Sequence, residues 1–98
     1  MNLEKSKDGT KLTVALVGEV DSMNTPEIEE RLLKEVEGVT ELVFDLSKLD
    51  YISSAGLRVL LQMQKIMKPV GTMVITNTTE DVMDIFKVTG FIRLFKFA

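Results

Sequence analysis

The stretch "ELVFDL", residues 41–46, limits the fold more tightly than any other. From Leu42 to Leu46 it is apolar apart from Asp45. An apolar run this short has the pattern of a strand covered on both faces, as in a parallel sheet with helices packed on it. The residues on either side switch period in step with that reading. "KLTVALV" at 11–17 alternates, with Leu12, Val14 and Leu16 facing one way and Thr13, Ala15 and Val17 the other. Asp8-Gly9 before it is a tight-turn signal, and it joins this strand to a short one at Leu3–Lys5 as a hairpin.

Helical spacing takes over at "TPEIEERLLKEVEG". Thr25 is expected as the N-cap and Pro26 as the first helical residue. Glu27, Glu29 and Glu30 put negative charge on the first turns, where the helix dipole favours it. Ile28, Leu32 and Val36, with Leu33 beside them, form an apolar stripe, and Gly38 is a stop. After residues 41–46, "AGLRVLLQMQKIMK" places Leu57, Leu60, Leu61 and Met67 inward and Arg58, Gln62, Lys65 and Lys68 outward until Pro69. "TMVIT" is a further buried strand. Thr79 then caps "EDVMDIFKVTG", where Val82, Ile85 and Phe86 make the stripe and Gly90 the stop. "FIRLFKF" is expected as a last strand. The predicted order is ββαβαβαβ: an α/β domain with helices on a mostly parallel, mixed sheet whose N-terminal edge is an antiparallel hairpin. No repeat or linker divides residues 1–98, so they form a single domain.

Composition and charge argue against several classes of function for such a chain. An apolar fraction of 45% and a charged fraction of 28% are those of a folded domain. The net charge is −3 and no stretch is strongly basic, so direct nucleic acid binding is not expected. The absence of histidine removes the commonest general base and the commonest metal ligand. The absence of cysteine removes disulfides and thiol chemistry, and fits a reducing compartment. The start lacks the pattern of a signal peptide, and no window approaches the roughly 18–20 apolar residues that span a bilayer, so the expected location is cytoplasmic, without membrane insertion. No GxxxxGK loop is present. Glu19 with Asp21, and Asp45 with Asp50, read as strand-end and turn carboxylates rather than acid–base pairs. No spacing supports a metal site. Met63, Met67, Met73 and Met83 read as core. Neither a cofactor nor enzyme activity is expected.

Chemistry concentrates in "DYISSAGLRV", residues 50–59. Ser53 or Ser54 stands just before a helix start, where unpaired N–H groups carry partial positive charge. A hydroxyl there can cap the helix, and position alone favours that role. It is also where a phosphate would be tolerated and would change the local charge by about −1.5 to −2. Ala55 and Gly56 are small and let a partner surface come close.

"GEVD" at 18–21, "FDLSKLDYISSAGLRVLL" at 44–61 and "VTGF" at 88–91 resemble the STAS domain, in particular the bacterial anti-sigma-factor antagonists. The resemblance runs over nearly the whole chain. It implies a partner switch. The unphosphorylated antagonist binds an anti-sigma factor that is also a serine kinase and so frees the sigma factor; phosphorylation breaks the complex; a PP2C-type phosphatase restores it. The family's phospho-acceptor lies two residues before the Gly of the G-L pair, which is Ser54 here, with Ser53 the less favoured hydroxyl. The resemblance also implies that Asp21 lies near the acceptor and orients its hydroxyl or helps it lose its proton. Glu19, Met23, Asn24 and Thr25 would line the same edge, and Ser53, Ser54, Ala55, Gly56 and Arg58 would complete the partner-binding face.

The chain departs from the family pattern at named positions. Ser53 replaces the usual Asp before the acceptor, Ala55 replaces Ser or Thr after it, and Arg58 stands where many antagonists have Gly. Four residues past Ser54 on a helix, Arg58 is either an exposed surface arginine or a contact for a phosphate. The family usually has a further helix after the last strand, whereas this sequence stops at Ala98, so that helix is either absent or trimmed away. The apolar run Phe91, Ile92, Leu94, Phe95, Phe97 would then lie partly uncovered and favour weak self-association. The alternative to a switch is a non-switching STAS accessory or scaffold subunit of a transporter or stress-sensing complex.

Overall fold

The computed structural model describes residues 2–98. Strands β1 (Leu3–Asp8) and β2 (Lys11–Leu16) form the expected antiparallel hairpin, with Leu3 opposite Leu16 and Asp8 opposite Lys11. A short β3 (Gly18–Val20) leads to helix α1 (Thr25–Glu35), and β4 (Glu41–Asp45) follows. Next come β5 (Leu49–Ile52), helix α2 (Ser54–Met67), β6 (Thr72–Thr76) and helix α3 (Glu80–Thr89). The main sheet has the order β1-β2-β4-β6, parallel from β2 onward. A second, two-stranded parallel ladder joins β3 to β5. The mixed α/β class therefore stands, with β3 and β5 as two short strands that residue patterning did not separate.

One face of the main sheet carries the core. Leu12, Val14, Leu16, Leu42, Phe44, Met73 and Ile75 are buried there, in one cluster with Ile28 and Leu32 of α1 and Leu57, Leu60, Met63 and Met67 of α2. Thr13, Ala15, Val43 and Val74 of the opposite face are only half-buried. The strand at 41–46 is thus covered on one face and not on both. The second face is built of small and β-branched side chains that tolerate partial exposure. The entry to β6 needs glycine: a Cβ on Gly71 would lie 1.8 Å from the carbonyl oxygen of Thr40. That same oxygen accepts from the Thr72 N–H at 2.9 Å.

The start of α1 differs from expectation. Thr25 is not the cap of α1; it lies inside the helix, buried, and Asn24 is the cap residue. The chain is already wound before Thr25, whose N–H donates to the Asp21 carbonyl at 3.0 Å. Leu33 sits beside the buried stripe but is exposed. The caps of the other two helices follow expectation at α3, where Thr79 Oγ1 accepts from the Val82 N–H and Gly90 ends the helix at φ 80°.

The last strand is the larger correction. Residues Phe91–Leu94 form a 3-10 turn, and strand pairing shrinks to one parallel bridge between Ile75 and Phe97. Aromatic packing accounts for this. Phe86 meets Phe95 edge-on at 5.8 Å and Phe97 edge-on at 5.2 Å, while Phe91 stacks on Phe95. The apolar run is partly uncovered, as expected: Phe95 is buried, Phe91, Ile92 and Phe97 are half-buried, and Leu94 is exposed.

Candidate functional site

The β3–β5 ladder ends at the start of α2, with Glu19 opposite Tyr51 and Val20 opposite Ile52. The Ser53 N–H continues the ladder by donating to the Val20 carbonyl at 2.8 Å. Ser53 is extended, at φ −83° and ψ 172°. Its Oγ accepts from the Gly56 N–H at 3.3 Å, and its carbonyl accepts from the Leu57 N–H at 3.0 Å. Ser53 is therefore the N-cap of α2. Ser54 is the first helical residue and is exposed. The two adjacent hydroxyls have divided roles: one closes the first turn, the other faces outward.

Gly56 seats this turn on the ladder. A Cβ there would come 2.6 Å from the Ile52 side chain and 2.8 Å from that of Val20. Without one, the helix start lies directly on two buried residues and fixes where Ser54 projects.

The neighbouring loop is held by its own amide and carboxylate groups. Asp21 Oδ1 accepts from the Met23 and Asn24 N–H groups at 2.9 and 3.1 Å. Asn24 Oδ1 accepts from the Asp21 N–H at 2.9 Å, and its Nδ2 donates to the Glu19 carbonyl at 2.8 Å. Asn2 Nδ2 donates to the carbonyls of Val17 and Glu19 at 2.8 and 3.1 Å. Glu19 is exposed and Met23 is 88% exposed, whereas Asp21 and Asn24 are half-buried in the loop they shape. The hydrogen bonds of Asp21 run within this loop.

Between the starts of α1 and α2 lies an open groove of about 300 Å³ lined by Thr25, Pro26, Glu29, Ala55, Arg58, Val59 and Gln62. It brings Thr25, Ala55 and Arg58 together beside Ser54. Pro26, Glu29, Val59 and Gln62 were not singled out from sequence, although Glu29 and Val59 follow Thr25 and Ala55 at the four-residue spacing of one helix face. Asn2 carried no local signal at all, because its partners lie 15 and 17 residues away.

The "DLS" segment at 45–47 is a structural turn. Asp45 Oδ1 accepts from the Ser47 N–H at 2.9 Å. That bond is the main reason its carboxyl is held below the ordinary value; burial opposes it, and the Ser47 and Asn77 side chains and Lys48 assist. Among the described residues, no group of three or more Asp, Glu, His or Cys side chains is placed to hold a metal ion. Among the described residues, no helix is long and apolar enough to cross a membrane.

A family model described as the STAS domain matches residues 2–98. BtrV of Bordetella bronchiseptica, which carries the name of an anti-sigma factor antagonist, is 38% identical over 100 residues, spanning 100% of this chain and 86% of its own length. The anti-sigma-B factor antagonist of Bacillus subtilis is 26% identical over 91 residues, spanning 92% of this chain and 84% of its own. Among solved structures, the antagonist SpoIIAA in its unphosphorylated form superposes with a TM-score of 0.83 at 18% identity, over 98% of this chain and 87% of its own. The phosphorylated form of the Bacillus SpoIIAA gives 0.74 at 17% identity, over 98% and 90%. At those identities the superpositions speak to the fold.

Proposed function

We propose, from the premise that the chain belongs to the STAS domain family and to its anti-sigma-factor antagonists, that it works as a partner switch thrown by phosphorylation of Ser54. The unphosphorylated protein docks an anti-sigma factor that is also a serine kinase, and sigma factor is released. In the kinase, the Ser54 hydroxyl oxygen attacks the γ-phosphorus of ATP. An O–P bond forms, the bond to the β-phosphate oxygen breaks, ADP leaves, and the hydroxyl proton passes to a base of the kinase. A PP2C-type phosphatase hydrolyses the ester and restores the docking form. The chain is substrate and ligand in this cycle and not a catalyst, and the cycle runs in the cytoplasm.

The observation that carries this reading is the division of labour between two serines. Ser53 Oγ is engaged with the Gly56 N–H, while Ser54 is exposed at the first helical position. The docking face comprises that turn, the groove with Thr25, Ala55 and Arg58, and the exposed Glu19 and Met23 on the loop beside it. A phosphate on Ser54 would add about −1.5 to −2 charges to this face. The helix start favours that charge locally, so the fold is kept. The docked partner must meet it with desolvation and repulsion, so the complex is lost without a change of shape.

The test is incubation with the cognate anti-sigma-factor kinase and Mg-ATP, followed by intact mass and peptide mapping. One phosphate, lost in Ser54→Ala and kept in Ser53→Ala, is expected. Phosphate retained in Ser54→Ala, or none in the wild type, would overturn the assignment.

A further inference from the structure

Arg58 stands four residues after Ser54 on α2, one turn along the same face. Long side chains on a helix lean toward its N-terminus and cover the turn before their own Cα. The patch within reach of the Arg58 guanidinium is therefore the one from which Ser54 projects. Arg58 is exposed, and no ion pair among the described residues involves it. Glu29 lines the same groove across from it without closing a salt bridge. The first turn of α2 carries no acidic residue to compete for the guanidinium. An unpaired cation is thus held one helical turn from an exposed hydroxyl.

We infer that Arg58 is the intramolecular receptor for a phosphate on Ser54. This rests on Ser54 being the acceptor and adds how the modified form is held. The guanidinium fork donates charge-assisted hydrogen bonds to the phosphate oxygens. Phosphorylation then acts twice on the docking face. It adds negative charge, and it withdraws the donors of Arg58 from the partner. Both changes occur within one helical turn, so rejection of the phosphorylated form needs no movement of the backbone. Lysine in the same place would attract the phosphate only as a point charge and give a weaker hold.

The experiment uses the full chain with phosphoserine placed at position 54 during translation, so that no kinase is needed. The chain has three arginines, Arg31, Arg58 and Arg93, whose side-chain Nε–H groups are separate reporters in ¹H–¹⁵N spectra. Phosphorylation is expected to move the Arg58 signal downfield and slow its exchange with water, leaving those of Arg31 and Arg93 in place. The thermal midpoint of the phosphorylated chain is expected to fall by about 3 °C more in Arg58→Gln than the unphosphorylated chain does, a difference set by the loss of one charged pair. Arg58→Lys should keep part of that difference, and about 0.5 M salt should shrink it. An unmoved Arg58 signal in a chain whose mass shows the phosphate, or equal midpoint losses with and without phosphate, would overturn the inference. If the phosphate is held by Arg58 but no kinase modifies Ser54, the switch falls and the clamp stands; if the kinase modifies Ser54 and Arg58 is indifferent, the clamp alone falls.

Discussion

The Oγ of Ser53 accepts the N–H of Gly56 at 3.3 Å, and this closes the first turn of α2 with Ser54 on its outside. The two serines should therefore separate cleanly in stability. Ser53→Ala removes the cap and should cost about 1 kcal/mol, a fall of about 4–8 °C in thermal midpoint for a domain of this size. Ser54→Ala removes an exposed hydroxyl and should change stability by less than about 0.5 kcal/mol. Thermal unfolding of both variants checks this. Equal losses would mean that the cap is shared.

Gly56 and Gly71 should also rank in a fixed order. A Cβ on Gly56 meets two side chains, Ile52 Cγ1 at 2.6 Å and Val20 Cγ1 at 2.8 Å. These can shift, at an overpacking cost of about 1–3 kcal/mol for Gly56→Ala. A Cβ on Gly71 meets the backbone oxygen of Thr40 at 1.8 Å, and backbone cannot turn aside. Urea unfolding should show Gly71→Ala as the more destabilised of the two. Phosphorylation of Ser54 should suffer more in Gly56→Ala at temperatures where both variants are folded, because Gly56 seats the acceptor turn.

Asp45 predicts a pH dependence with a definite sign. Its folded-state carboxyl titrates below the ordinary 3.8, first because the Ser47 N–H donates to it. The ionised form is thus favoured by folding. Its contribution is complete above 3.8 and is lost as pH falls through the folded-state value. Chemical unfolding of wild type and Asp45→Ala should differ at neutral pH, and the gap should close as pH drops below that range. A gap that stays constant into acid would assign the effect to packing.

Much of this architecture was legible in the sequence because it follows local pattern. The alternation at Leu12, Val14 and Leu16 is the buried face of β2, and the spacing of Ile28, Leu32 and Val36 is the buried stripe of α1. The tight-turn signal at Asp8-Gly9 marks the hairpin, whose loop is Gly9-Thr10 between the paired Asp8 and Lys11, with Gly9 at φ 61°. What was not legible depends on distant partners. Strands of three and four residues, such as β3 and β5, are too short to display a period. The segment from Phe91 reads as a strand because its aromatic residues favour one, yet Phe95 and Phe97 are claimed by Phe86. Val43 reads as core because nothing in residues 41–46 says which face the helices cover. At the site, the sequence brought out Ser53, Ser54 and Gly56 but not the contacts that separate their roles. The cap depends on an N–H three residues on, and the seat on Val20, in another strand.

One phosphate on Ser54 is expected to abolish docking. Titration calorimetry of the cognate anti-sigma-factor kinase against two full-length chains, one unmodified and one carrying phosphoserine at position 54 from translation, tests it most directly. The expected result is at least about a hundredfold loss of affinity, or about 2.7 kcal/mol. Equal affinity for the two chains, each confirmed by mass and folded by circular dichroism, would contradict it.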